Sequence, residues 1–149
     1  MGLACLPGCE DAKAPVVIMR PLEERRVHGL IERVIGENGA APRPGRSFEM
    51  GKFTLREVAR VGDSPYGVAY VTADDLKDAG NQVPPFEPDR TDLRLVRPDE
   101  NAIVLVLYAE AYRYDVGEEH SATVVTAEKT LERDVSDFMV HVVKMRKKQ

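Results

Sequence analysis

The sequence predicts an α+β fold: an antiparallel four-stranded meander over about 92–145, packed on one amphipathic helix over about 22–36, with an additional N-terminal strand and hairpin. Three observations carry this expectation. Val27, Leu30, Ile31, Val34 and Ile35 recur at i, i+3, i+4, i+7 and i+8, a single apolar helical stripe. From Thr91 onward, apolar or alternating runs are separated by short polar turns at Pro98–Asn101, Gly117–Glu119 and Arg133–Asp134, and strands joined so tightly are antiparallel neighbours. Finally, "AIVLVLYA" and "FMVHVV" are apolar on both strand faces, so the sheet is expected to be covered on both sides.

Taken in order, residues 1–14 lack periodicity and read as a tail, 15–145 as one domain, and 146–149 as a basic C-terminal tail. Pro15–Met19 is a short apolar run bounded by prolines and reads as a strand. The helix that follows has Pro21 near its start and Glu23 and Glu24 at the positive end of its dipole; Gly36, Asn38 and Gly39 stop it. Ala40–Ser47 is a linker by composition. Phe53–Thr72 is expected as a hairpin turning at "GDSPYG"; the alternative is a helix opened by Thr54 and Glu57, which would make a βαβ unit. "TADDLKDAG" predicts one or two helical turns, capped by Thr72 and stopped by Gly80, with Asp74 and Asp75 supplying helix-start charge. "GNQVPPFEPDR" reads as a long surface loop.

Composition narrows the function classes. A chain of 149 residues buries roughly 68–70 % of its unfolded surface, so it needs no disulfide staple. The formal charge of −4 argues against a nucleic-acid binder, except through the basic tail Lys144, Arg146, Lys147 and Lys148, a candidate contact for an acidic partner or a phosphate. No apolar run approaches the ~18 residues of a membrane span, and a cytoplasmic location is expected. Asparagine and glutamine are confined to five positions, a thermophile-like bias.

Motifs are sparse. Cys5 and Cys9 form a C-x3-C half-site without a second pair, so neither a metal nor a cofactor is expected. His28, His120 and His141 stand alone, and Glu118, Glu119 and His120 read as a solvated hairpin tip. "PRPGRS" has residues that could touch phosphate, but no phosphate-loop or nucleophile motif accompanies it. The most suggestive surface is Tyr108, Glu110, Tyr112 and Tyr114, which would share one face of a continuous strand at period 2. Such a stripe suits an interface, or a pocket with Glu110 as acid or base and Tyr108 and Tyr112 as walls.

The 92–145 stretch, with "AEAYRYDVGEEHSATVV" in it, resembles the sheet of cystatin-like, nuclear-transport-factor-type folds. That resemblance implies a curved meander with a helix in its concave face; it implies no functional residue here. The first functional expectation is a non-enzymatic subunit of a homo- or hetero-oligomeric assembly, associating through its sheet face and tails. The second is a small-molecule-binding or enzymatic domain with a pocket at Glu110, Tyr108 and Tyr112. A βαβ nucleotide-binding domain is the third, conditional on a helix at Phe53–Val61.

Overall fold

A computed structural model describes residues 17–117 and 120–148; Cys5, Cys9, Glu118 and Glu119 lie outside the described residues. The chain is α+β, with eight strands and three α-helices among the described residues. The strands are β1 (Met19–Pro21), β2 (Pro42–Pro44), β3 (Ser47–Met50), β4 (Phe53–Val61), β5 (Tyr66–Val71), β6 (Leu95–Asp99), β7 (Ala102–Tyr108) and β8 (Arg113–Asp115); the helices are α1 (Glu24–Glu37), α2 (Ala73–Ala79) and α3 (His120–Lys147). The main sheet runs β2-β4-β5-β7-β6, with β3 also paired to β4, and β1 and β8 form a separate ribbon. All pairs are antiparallel except β5 with β7. β3 also approaches β6 at the far edge, so the sheet curls on itself.

α1 forms where the stripe predicts it, with Val27, Leu30, Ile31, Val34 and Ile35 all buried. Its end is closed by Asn38, whose side-chain amide donates to the Val34 carbonyl (2.8 Å), and by Gly39 at a positive φ of 88°. α2 has the expected capping box: the Asp75 amide donates to Thr72 Oγ1 at 3.1 Å and the Thr72 amide to Asp75 Oδ2 at 2.9 Å. Phe53–Val71 is the hairpin, so the helix required by the nucleotide-binding alternative is a strand instead.

The meander is corrected. β6 is its expected first strand, and β7 and β8 are the expected second strand broken in two, β8 being only three residues long. The remainder, His120–Lys147, is a 28-residue helix, and Arg133–Asp134 lies in its middle rather than in a turn. Ala127, Leu131, Val135, Phe138, Met139 and Val142 are buried at spacings of three and four, a helical stripe that outweighs the β-propensity of the flanking valines and threonines. With that helix in place, the curved-meander resemblance does not describe the C-terminal third.

Both sheet faces are covered by the chain itself. α1 and α3 pack on one face over Ala59, Val61, Tyr66, Val68, Leu105 and Leu107. The other face holds Phe53, Leu55, Ala69, Val71, Val104 and Val106 under Ala79, Val83 and the partly buried Phe48, Met50, Leu76 and Phe86. β4 serves both faces because a bulge interrupts its pairing between Glu57 and Ala59. Strict alternation would put Leu55, Glu57, Ala59 and Val61 on one side; the extra residue sends Ala59 and Val61 to the helix side and leaves Leu55 and Glu57 on the other.

Glu57 is the one buried charged residue among the described residues, and its side chain is 0 % exposed. Arg46 forks it, Nε to Oε1 and Nη2 to Oε2, both at 2.8 Å. The Arg46 amide also donates to Oε1 at 3.0 Å, and Nη2 and Nη1 reach the carbonyls of Pro65 (3.0 Å) and Asn101 (3.4 Å). One guanidinium therefore ties β4, the β4–β5 turn and the β6–β7 turn together. The room for the carboxylate comes from Gly67, where a β-carbon would overlap Glu57. Arg46, which sequence reasoning considers for phosphate contact, is thereby committed to an internal ion pair.

Candidate functional site

The expected tyrosine stripe is not one strand face. β7 ends at Tyr108, a 3-10 turn occupies Ala109–Ala111, and β8 begins at Arg113. The turn breaks the period of two, so Tyr108 packs in the cluster on the α2 face, Tyr112 packs in the cluster under α1 and α3, and Tyr114 is a partly buried neighbour of the latter. Glu110, on the turn, is exposed.

The break nevertheless brings Tyr108, Glu110 and Tyr112 to one place. They line a cleft of about 430 Å³ together with Phe86, Glu87, Pro88 and residues 90–94 from the loop before β6 and Thr130, Arg133, Asp134 and Asp137 from α3. Leu105 and Leu107 of β7 supply apolar lining. Tyr114 is not part of the lining. The basic candidates Lys144, Arg146, Lys147 and Lys148 also lie elsewhere, exposed at the end of α3, where Lys144, Arg146 and Lys147 suit the negative end of its dipole.

Both tyrosine hydroxyls are already spent as donors. Tyr112 donates to Asp134 Oδ2 at 2.6 Å; burial, reinforced by that carboxylate's charge, pushes its pKa far above the ordinary tyrosine value. Tyr108 donates to the Pro84 carbonyl at 2.7 Å, and burial raises its pKa as well. Its ring meets Phe86 at 5.7 Å between centroids. These side chains act as fixed walls, anchored at both ends.

Charge in the cleft is arranged mostly in pairs. Arg90 forks Asp92 at 2.6 and 3.0 Å, which holds the Asp92 carboxyl below its usual range, and reaches Glu87 at 3.4 Å. Arg133 meets Asp134 Oδ1 at 3.0 Å. The exception is Arg94, whose only carboxylate within 4 Å among the described residues is Glu87, at 3.6 Å. Sequence reasoning missed Arg90, Arg94, Arg133 and Asp134. Their convergence needs α3 to be a helix, and the alternation "TDLRLV" was the single hint that Arg94 would leave the Leu93 and Leu95 side.

Among the described residues no three His, Cys, Asp or Glu side chains group in a way that could hold a metal ion. No helix of the described residues is long and apolar enough to cross a membrane. His141, expected as a core histidine, is half-buried with edge-on contact to Tyr66 (6.4 Å), while His28 is exposed on α1. Searches of family models, curated proteins and solved structures return no match to this chain.

Proposed function

We propose that this chain is a small-molecule-binding α+β domain whose ligand occupies the cleft at Tyr108, Glu110 and Tyr112. The observation that carries this reading is convergence. Three segments far apart in sequence, 86–94, 105–112 and 130–137, meet around an apolar floor with charged groups at its walls. Concavities of this size with a few placed polar groups are the usual form of ligand sites. The reading is one of binding, because Glu110 stands exposed at the rim, where water has free access. The test is titration of isotopically labelled protein with a mixed set of small charged and neutral compounds. Saturable amide shifts clustered at 90–94, 108–112 and 130–137 are expected. Shifts that avoid these segments for every compound would end the proposal.

A second reading, a subunit of a protein assembly, draws on a different place. Val140 and Val143 are 53 % and 44 % exposed on α3, beside Lys144, Arg146 and Lys147. The sheet itself offers less to a partner: its faces are covered, and its outer strands carry Pro42, Pro44 and Pro98, which cannot donate to an added strand. Association is therefore expected at the helix surface or the tails. Light scattering with and without reductant tests this, with Val140→Asp as the disrupting variant; a monomeric mass at high concentration removes self-association.

A further inference from the structure

Arg46 and Arg94 are both only partly exposed, and they are treated oppositely. Arg46, with 24 % of its side chain exposed, directs donors to the Glu57 carboxylate and to two main-chain carbonyls. Arg94 is more enclosed, at 13 %, yet its guanidinium donates no hydrogen bond to any described residue. Glu87 approaches it only at 3.6 Å, is itself half exposed, and is shared with Arg90. No buried side-chain nitrogen among the described residues lacks a partner, so the unbonded guanidinium nitrogens of Arg94 are the ones that still face solvent, in the cleft, with donors unclaimed by the chain. The neighbouring Arg90, which has donors and no acceptor, commits the Asp92 carboxylate to its own fork.

We infer that Arg94 is the anchor for an oxyanion, a carboxylate or phosphate group of the ligand, at the loop end of the cleft; this rests on the cleft being a binding site. The chemistry is specific. A guanidinium presents planar, paired N–H donors that match the two oxygens of a carboxylate or phosphate, whereas an ammonium acts as a point charge. Position supports it. Arg94 lies beside β7, its carbonyl accepting from the Val106 amide (2.8 Å), and it lines the cleft together with Phe86 and Tyr108. Its charge reaches both Tyr108 and Asp92, as does that of Arg90. The α3 segment and the 109–111 turn bring three carboxylates, Glu110, Asp134 and Asp137, against one cation, Arg133, which is paired with Asp134, so an anion is favoured at the Arg94 end.

The experiment uses the full chain, with inorganic phosphate, acetate and the neutral acetamide as probes. Resonances of the Arg94 side-chain Nε–H and of the amides at 90–94 and 108 are followed by NMR. Phosphate or acetate should shift these saturably and acetamide should not; whichever oxyanion binds more tightly identifies the source as phosphoryl or carboxyl. Arg94→Gln should weaken the anion on the order of tenfold, with Arg94→Lys intermediate because it retains charge but loses the fork. Glu87→Gln should tighten it by roughly two- to fivefold by removing the competing carboxylate, a gain that a merely structural Arg94 would not produce. Unchanged spectral dispersion certifies folding of each variant. Anion shifts equal in wild type and Arg94→Gln, or confined to Lys144–Lys148, overturn the assignment. If neutral or cationic compounds titrate the cleft while both anions do not, the oxyanion assignment falls and the ligand cleft stands. If nothing titrates it, both fall.

Discussion

Gly67→Ala isolates the feature that closes one end of the curled sheet. Gly67 is absent from the glycines with positive φ, so alanine carries no backbone penalty there. Its methyl, however, would overlap the Glu57 carboxylate that fills this space. Glu57 must then leave the Arg46 fork, giving up its hydrogen bonds to Arg46 Nε, Nη2 and main-chain N. Breaking a buried, hydrogen-bonded ion pair costs about 3–5 kcal/mol, which for a domain of this size lowers Tm by roughly 10 °C. Glu57→Ala should cost a similar amount, by leaving Arg46 without its carboxylate. The double variant should cost little more than Glu57→Ala alone, since the carboxylate that the methyl overlaps is then gone; the coupling is about 3 kcal/mol. Gly45→Ala is the control, because its methyl meets the Glu57 main-chain carbonyl, which Glu57→Ala retains, so no rescue is expected. Urea denaturation of the four-member cycle measures this, and costs for Gly67→Ala and Glu57→Ala that add within about 0.5 kcal/mol would refute the reasoning.

Other expectations concern the helix and the cleft. Phe138→Ala removes a fully buried ring between α3 and the sheet and should destabilise by about 3–5 kcal/mol in the same assay; a change below 1 kcal/mol would contradict the packing of α3. Val140→Ser, on the exposed side of that helix, should stay within about 0.5 kcal/mol of wild type. Tyr112 is held protonated in the folded state by burial and Asp134, and burial pushes Tyr70 up to about 12, so the folded form retains protons that the unfolded chain releases near pH 10. Stability is therefore fully present below about pH 10 and falls as pH rises beyond it; Tyr112→Phe should make that fall shallower. At the acid end, the hydrogen bond from Arg26 holds Glu128 below its ordinary value, so its contribution is present above the normal glutamate range and lost as pH drops through the lowered one. The pair is partly exposed, and a double-mutant cycle should return under about 1 kcal/mol.

The resemblance between expectation and structure is strongest where the deciding interactions are local. α1 was legible because five apolar residues at helical spacing are a property of the chain itself. α2 was legible because Thr72 and Asp75 satisfy each other's main-chain amides three residues apart, and the β4–β5 hairpin because its turn residues lie together. The C-terminal helix was written in the sequence too, in Ala127, Leu131, Val135 and Phe138, but the β-branched residues at either end spoke for strands. Local propensity differs by less than about 1 kcal/mol per residue, and burying the stripe on the sheet decided the matter.

The sequence by itself determined the α+β class, the position of α1, the cap of α2, and that both faces of the central strands would be covered. It also singled out Tyr108, Glu110 and Tyr112, though as a strand face, which the turn at Ala109–Ala111 replaced with a shared cleft wall. Tertiary structure alone decided the rest. A bulge between Glu57 and Ala59 sends one strand's side chains to two cores; Arg46 meets a carboxylate eleven residues away; and Arg94 has Glu87, at 3.6 Å, as its carboxylate neighbour among the described residues. Each depends on groups distant in sequence that meet only once the sheet has curled and α3 has docked. No local pattern encodes a register shift, or which carboxylates a guanidinium will meet.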